Sequence, residues 1–269
     1  THVAVIFDKG SHTFRNDMYG LYKANREEMP EDLRPQMPLT RRATEAFNIA
    51  CEELEGYEAD DIIATLACQA RDAGGSVTII SSDKDLMQLV GGGVEMLDAM
   101  KNKRIDREGV FEKFGVYPER VVDVQALAGD SVDNVPGAPG IGIKTAALLI
   151  NEFGDLETLL ERAGEIKQAK RRETLIEHAD QIRLSKRLVQ LDCETPLDFT
   201  LDDLEVREPD AEELMAFLAE MEFRTLSKRL AEKLDVEAPV IAEGVPAASD
   251  GGAVAEAVPE LELGGVMNY

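Results

Sequence analysis

Eight carboxylates fall in four short, separated segments of this 269-residue chain. They are Asp8 in VAVIFD; Glu58, Asp60 and Asp61 in GYEADD; Asp83 and Asp85 in IISSDKD; and Asp130 and Asp133 in GDSVDN. Like charges held close together repel and raise one another's pKa. A fold that gathers these groups therefore needs cations among them. Hard divalent ions such as Mg²⁺ take oxygen ligands and share them with substrate phosphates. The chemistry implied is two-metal hydrolysis of a phosphodiester. A plainer account exists for single members: with 53 acidic residues, Asp61 or Asp133 alone reads as a helix cap or a solvated charge.

Position lifts the set above chance. Asp8 ends the apolar run Val3-Ala4-Val5-Ile6-Phe7, and Asp83 follows Val77-Thr78-Ile79-Ile80. In open α/β sheets, ligands gather beyond the carboxyl ends of the strands. Glu58, Asp60 and Asp61 open a helical pattern through Ile62, Ile63, Leu66 and Ala70, where carboxylates also suit the helix dipole. Strands are predicted near 3–7, 49–53, 76–81 and 94–97, and helices near 31–47, 57–72 and 84–90. This alternation predicts an α/β fold with a parallel sheet flanked by helices. Residues 9–30 form a long polar connection carrying Lys9, Arg15, Lys23 and Arg26 with Phe14, Tyr19 and Tyr22 interleaved. A connection of that length is more often functional than a spacer. From 107 the pattern is helical, with helices near 107–114, 118–128, 144–153, 156–163, 165–188, 211–221 and 225–234.

A second local signal is VPGAPGIGIKTAA, residues 135–147. Gly140 and Gly142 permit close backbone approach. The following helix begins with free N–H groups, and Lys144 and Thr145 add a charge and a hydroxyl. Contacts of this kind hold a phosphodiester backbone without reading bases. The GxxxxGK[ST] spacing of a nucleotide-binding loop is not met, and the alternative is a Gly/Pro-rich turn between helices. The turn starts just after Asp130 and Asp133, which favours a polynucleotide over a small phosphate ester.

Net charge is −24 and pI about 4.5, which alone argues against nucleic acid. The distribution tempers this, because residues 235–269 hold seven acids and no Lys or Arg. A basic stretch runs through Arg162, Lys167, Lys170, Arg171, Arg172, Arg183, Lys186 and Arg187. The tail is predicted to be an acidic linker. No apolar run is long enough to span a membrane, and no signal peptide is legible. Three scattered cysteines suggest neither a disulfide framework nor a zinc site and suit a reducing cytoplasm. The chain enters its first strand directly from Thr1, without Met, which reads as a cut end.

Taken in order and spacing, YEADD, SSDKD, GDSVDNVPG and PGIGIKTA resemble the 5′-nuclease domain of bacterial DNA polymerases I, within the flap-endonuclease superfamily. FDKGSHTFRNDMYGLYKANREEMPEDLRPQ is similar to that family's arch, and the likeness covers about residues 1–234. It implies an α/β core (1–106, with the arch at 9–30), a helical subdomain with a helix–three-turn–helix element (107–234), and a linker (235–269) toward a polymerase domain. It implies Asp8, Glu58, Asp60 and Asp61 around one metal ion and Asp83, Asp85, Asp130 and Asp133 around a second. Those ions would be Mg²⁺, with Mn²⁺ as a substitute. Lys23, Arg26 and Tyr22 would act at the scissile phosphate, with Tyr19 or Tyr22 stacking on a terminal base. Arg15, Tyr19, Gly137, Gly140, Gly142, Lys144 and Thr145 would contact DNA, with K⁺ bound at the turn. The substrate would be a 5′ flap, nicked or primer-bearing duplex, handled by a cytoplasmic, nucleoid-associated enzyme. The family pattern also has an earlier strand with an Asp-Gly-Ser-type segment and a further metal aspartate, and this sequence begins after it. The main rival is therefore a structure-specific DNA-binding fragment with impaired catalysis. A ribonuclease of the related PIN architecture and a simple phosphatase are weaker rivals.

Overall fold

A computed structural model of the chain describes residues 1–241. The chain divides into two compact units, Thr1–Leu214 and Met215–Tyr269. In the first, β1 (Ala4–Ile6) runs parallel to β2 (Ala50–Glu52), with Ala4 opposite Ala50 and Ile6 opposite Glu52. β3 (Val77–Ile80) runs parallel to β4 (Val94–Asp98), and β5 (Lys103–Ile105) lies antiparallel to β4. The parallel α/β pairings agree with the alternating pattern, but among the described residues they belong to two sheets rather than one. β1 and β3 each keep one unpaired edge. Val3 is 45% exposed, Val5 36% and Ile80 68%. An apolar run marks a strand but does not by itself supply a neighbour to cover it. The polar sequence of β5, KRI, gave no strand signal; its pairing with β4 makes it one.

The helices of the core unit follow from local chemistry. α1 (Phe14–Met18) lies inside the 9–30 connection. α2 (Met37–Ala46) starts later than 31 because Pro35 and Pro38 cannot donate backbone hydrogen bonds and suit only a first turn. α3 (Ala59–Asp72) carries Ile62, Ala64, Ala67 and Cys68 inward. The expected helix at 84–90 is a 3₁₀ turn over Asp85–Leu89. α4 (Arg107–Phe114) is capped by Asp106, which accepts from Gly109 N at 2.9 Å. It ends at Gly115, whose φ of 74° suits a residue without a Cβ.

α5 (Val121–Ala128), α6 (Ile143–Phe153) and α7 (Leu156–Glu161) follow. The expected single helix 165–188 is two, α8 (Ala169–Glu177) and α9 (Ala179–Val189), broken at His178 without any glycine, proline or cap to signal it. α10 (Ala211–Glu220) carries the chain across the unit boundary, and α11 (Arg224–Leu234) belongs to the second unit.

One apolar cluster holds the first unit together. It includes Ala64, Ile79, Leu86 and Met96 from the α/β part and Phe114, Leu127, Ile150 and Leu159 from the helices. Each large side chain so buried contributes roughly 1.5–3 kcal/mol relative to exposure. The core is continuous across the expected 106/107 boundary. A disulfide joins Cys68 to Cys193, with Cα atoms 6.1 Å apart. Cysteine spacing predicted none, because partners 125 residues apart leave no local signature. No described helix is long and apolar enough to cross a membrane. Of the expected linker 235–269, everything from 242 lies outside the described residues.

Candidate metal centre and nucleic-acid interface

The acidic motifs converge on one face of the first unit. α3 presents Glu58 as its N-cap and Asp60 in its first turn. The segment after β3 presents Asp83 and Asp85, and the segment after α5 presents Asp130 and Asp133. Glu58, Asp60, Asp83, Asp85, Asp130 and Asp133 line a single cavity of about 20 Å³, together with Arg15, Tyr22, Lys23 and Arg26, and Arg15 lies 3.7 Å from Glu58. An open cleft of about 530 Å³ shares Arg26, Asp83, Asp85, Asp130 and Asp133 with it and adds Lys84 and Lys113. Asp8 stands beside this group and does not line the cavity. Its Oδ1 accepts from Ala59 N at 2.8 Å, at the start of α3.

The electrostatics mark these groups as a cluster. Asp60 is pushed up to about 7, by burial first and then by the charges of Asp83, Glu58, Asp8 and Asp85. Asp85 is pushed up to about 6 by burial and by Asp83, although Gln125 donates to it at 2.5 Å and opposes the rise. Asp130 moves the other way. Burial would raise it, but Lys84 and the backbone N–H groups of Val132 and Asp133 hold it below the usual carboxylate range. The chain's own cations occupy three of the carboxylates: Lys23 Nζ lies 2.6 Å from Glu58, Arg26 2.6 Å from Asp133, and Lys84 Nζ bonds Asp130. Among the described residues no three acidic or ligating side chains stand close enough together to hold an ion as they are. The donor set nevertheless fits a hard divalent cation: oxygen ligands only, clustered, with Asp60 without an ion-pair partner among the described residues.

Four expectations need correction. Arg15 was expected at DNA and is 1% exposed. It donates to both oxygens of Asp61, at 2.6 and 2.7 Å, and to the carbonyls of Leu188 and Gln190. Asp61 was expected on metal and is 0% exposed. Its oxygens also accept from Glu58 N and Asp192 N, so it locks α3 to the segment after α9. Tyr22 was expected to stack on a base. It is buried, its hydroxyl 3.3 Å from Glu58 Oε2, and burial together with Glu58 keeps the phenol protonated. Tyr19 is half-buried.

Gly137 is the fourth. It was expected to approach a phosphate but is buried, at φ 60°, where a Cβ would lie 2.4 Å from Gly129 N. Its N–H donates to Ser185 Oγ, and Gln181 donates to its carbonyl. Gly137 is thus a backbone crossing that ties the turn to Asp130. Gly140 and Gly142 do lie exposed with open space about them. Lys144 is exposed and Thr145 half-buried at the first turn of α6, where helical N–H groups lack intrahelical partners.

Sequence reasoning missed Lys84, Lys113, Gln125, Gln181 and Ser185. Lys84 alone had a signal, its place between Asp83 and Asp85.

Comparison with known proteins gives a consistent picture. The 5′-3′ exonuclease N-terminal resolvase-like domain family matches residues 1–115, and the 5′-3′ exonuclease C-terminal SAM-fold family matches residues 116–212. The DNA polymerase I of Rhizobium leguminosarum is 56% identical over 241 residues, 90% of this chain and 24% of its own length. That of Bacillus caldotenax is 39% identical over 268 residues, 98% of this chain and 30% of its own. The chain therefore spans about a quarter of the length of these relatives. T5 5′-exonuclease, solved with divalent metal ions (zinc), superimposes with a TM-score of 0.62 at 21% identity, covering 87% of this chain and 83% of that one. The catalytic core of Rad2 in complex with a DNA substrate gives 0.57 at 17%, covering 86% and 79%. At those identities the likeness speaks to the fold.

Proposed function

This chain belongs to the 5′-3′ exonuclease family, and on that premise we propose that it is a structure-specific 5′ nuclease that hydrolyses DNA phosphodiesters at a divalent metal centre. The observation that carries the proposal is the convergence of Glu58, Asp60, Asp83, Asp85, Asp130 and Asp133 on one cavity opening into a cleft. Glu58, Asp60, Asp83, Asp85, Asp130 and Asp133, with Asp8 beside them, would hold two ions, Mg²⁺ or in its place Mn²⁺. Bound there, such ions would activate a water and neutralise charge at the phosphate. Lys23 and Arg26 reach the same cavity from the 9–30 connection and would meet the scissile phosphate, adding positive charge where negative charge develops. Buried Tyr22 holds Glu58 in place through its hydroxyl. Tyr19 remains the candidate for stacking on an unpaired base. Gly140, Gly142, Lys144 and Thr145 would grip the duplex backbone through N–H groups and charge, with K⁺ at the turn carbonyls.

The substrate is a 5′ flap, nick or RNA primer in replication and repair, selected by structure, within a full-length protein that also carries a polymerase domain in the cytoplasm. A 5′-labelled flap duplex with Mg²⁺ tests this. Cutting should be abolished by EDTA and by Asp60→Ala, while Asp60→Ala still binds the duplex. Metal-independent cutting, or full activity of Asp60→Ala, would refute it. A second reading, a DNA-binding fragment without catalysis, is favoured by the way Lys23, Lys84 and Arg26 already occupy three of the carboxylates. Duplex binding with no cutting at saturating Mg²⁺ would select it.

A further inference from the structure

We propose that Lys84 is a tethered counter-ion of the metal centre: its ammonium neutralises Asp130 until a divalent cation binds, then moves to a phosphate of the bound strand. This rests on the nuclease reading above. Three observations carry it. First, Asp130 is a buried carboxylate, its side chain 8% exposed, and one oxygen is already fixed by Val132 N at 2.8 Å. The other, Oδ2, is the one left for a ligand, and Lys84 Nζ sits on it. An ammonium and a divalent ion cannot share that oxygen without strong repulsion.

Second, Lys84 is free to leave. Its side chain is 36% exposed, and among the described residues its one ion pair is with Asp130, with Asp83 and Asp85 acting on it only through their charge. The other two cations are held differently: the Lys23 side chain is only 21% exposed, and Arg26, though 50% exposed, makes a two-pronged bond. Arg26 donates twice to one oxygen of Asp133, and the backbone N–H of Lys23 is bonded to the carbonyl of Asp133. Third, Lys84 lines the open cleft whose rim, beside the carboxylates of the cluster, carries Arg26, Lys113, Ser81 and Ser82, so an ammonium released from Asp130 enters a space that also holds two other cations and two hydroxyls. That rim suits the phosphate of a nucleic-acid strand.

The test uses the whole chain. Mn²⁺ affinity is measured without DNA for wild type, Lys84→Met and Lys84→Arg. Removing the competing charge should tighten Mn²⁺ about tenfold in Lys84→Met, while Lys84→Arg, which keeps the charge, should stay within about threefold of wild type. Flap-duplex binding is then titrated against salt in Ca²⁺ and in EDTA. In Ca²⁺, Lys84→Met should reduce the salt slope by about one; in EDTA, where Lys84 is held by Asp130, the slope should not change. Equal or weaker Mn²⁺ binding by Lys84→Met, or an equal loss of slope in EDTA, would overturn the proposal while leaving the nuclease reading intact. Failure of the wild type to bind Mn²⁺ at all would overturn both.

Discussion

Arg15→Met separates the two roles that Arg15 could have. In the structure its guanidinium makes four hydrogen bonds, two to Asp61 and one each to the carbonyls of Leu188 and Gln190. Methionine retains the unbranched aliphatic stem up to about the position of Nε and removes every one of these donors. Asp61 would then be a fully buried carboxylate, held only by the N–H groups of Glu58 and Asp192. Removing one member of a buried ion pair costs about 3–5 kcal/mol. For a unit of this size, each kcal/mol lowers Tm by about 2–4 °C, so the expected loss is roughly 6–20 °C by thermal circular dichroism. The double variant Arg15→Met with Asp61→Asn should be no less stable than Arg15→Met alone, because asparagine removes the uncompensated charge. A Tm within about 2 °C of wild type, combined with a loss of flap cleavage of about a hundredfold, would refute this reasoning. It would place Arg15 at the substrate, as the sequence pattern had suggested.

Three further outcomes follow from the same geometry. Asp60 and Asp85 sit above their ordinary value of 3.8, at about 7 and about 6, so between those values the folded chain holds protons that the unfolded chain has released. Stability in EDTA should therefore fall as pH rises from about 4 to 7, and Asp60→Asn should remove much of that slope. Saturating Mg²⁺ should reverse its sign, since it binds the deprotonated cluster; a flat Tm profile in EDTA would contradict the clustering. Gly137→Ala places a Cβ against backbone at a positive φ and should cost about 2–5 kcal/mol in urea unfolding. Gly140→Ala has open space and should cost only about 1 kcal/mol for its backbone conformation; equal costs would argue against the crossing. Lys144→Ala should weaken duplex binding and lower its salt slope by about one without altering Mn²⁺ affinity, and a changed Mn²⁺ affinity would show that the turn and the metal centre are not separate.

What the sequence made legible was local. Strand ends at Asp8 and Asp83, a helix start at Glu58 and a Gly/Pro turn with Lys144 are each written in a few consecutive residues, and the α/β pattern with its acidic rim followed from them. Asp61 shows where that reasoning stops. It shares a four-residue motif with Glu58 and Asp60, yet it stands at the third position of a helix whose N-cap is Glu58, and that register turns it inward. The spacing alone suggests a cap; the partner that makes it a buried pair, Arg15, lies 46 residues earlier and is visible only in three dimensions. The same is true of Lys84 and Asp130, also 46 residues apart, and of Cys68 and Cys193.

A common physical logic links these hidden pairings. A chain can gather carboxylates into a site only if their mutual repulsion is offset, and the offset must hold before any substrate or ion arrives. In this fold the offset comes from residues of its own at long sequence distance: Arg15 fully buried and permanent under Asp61, Lys23 and Lys84 part-exposed on Glu58 and Asp130, and Arg26 half-exposed on Asp133. Asp60, which no cation among the described residues pairs with, has a carboxyl pushed up to about 7. The place where the chain leaves its own charge uncompensated is therefore the place where a divalent ion gains most by binding.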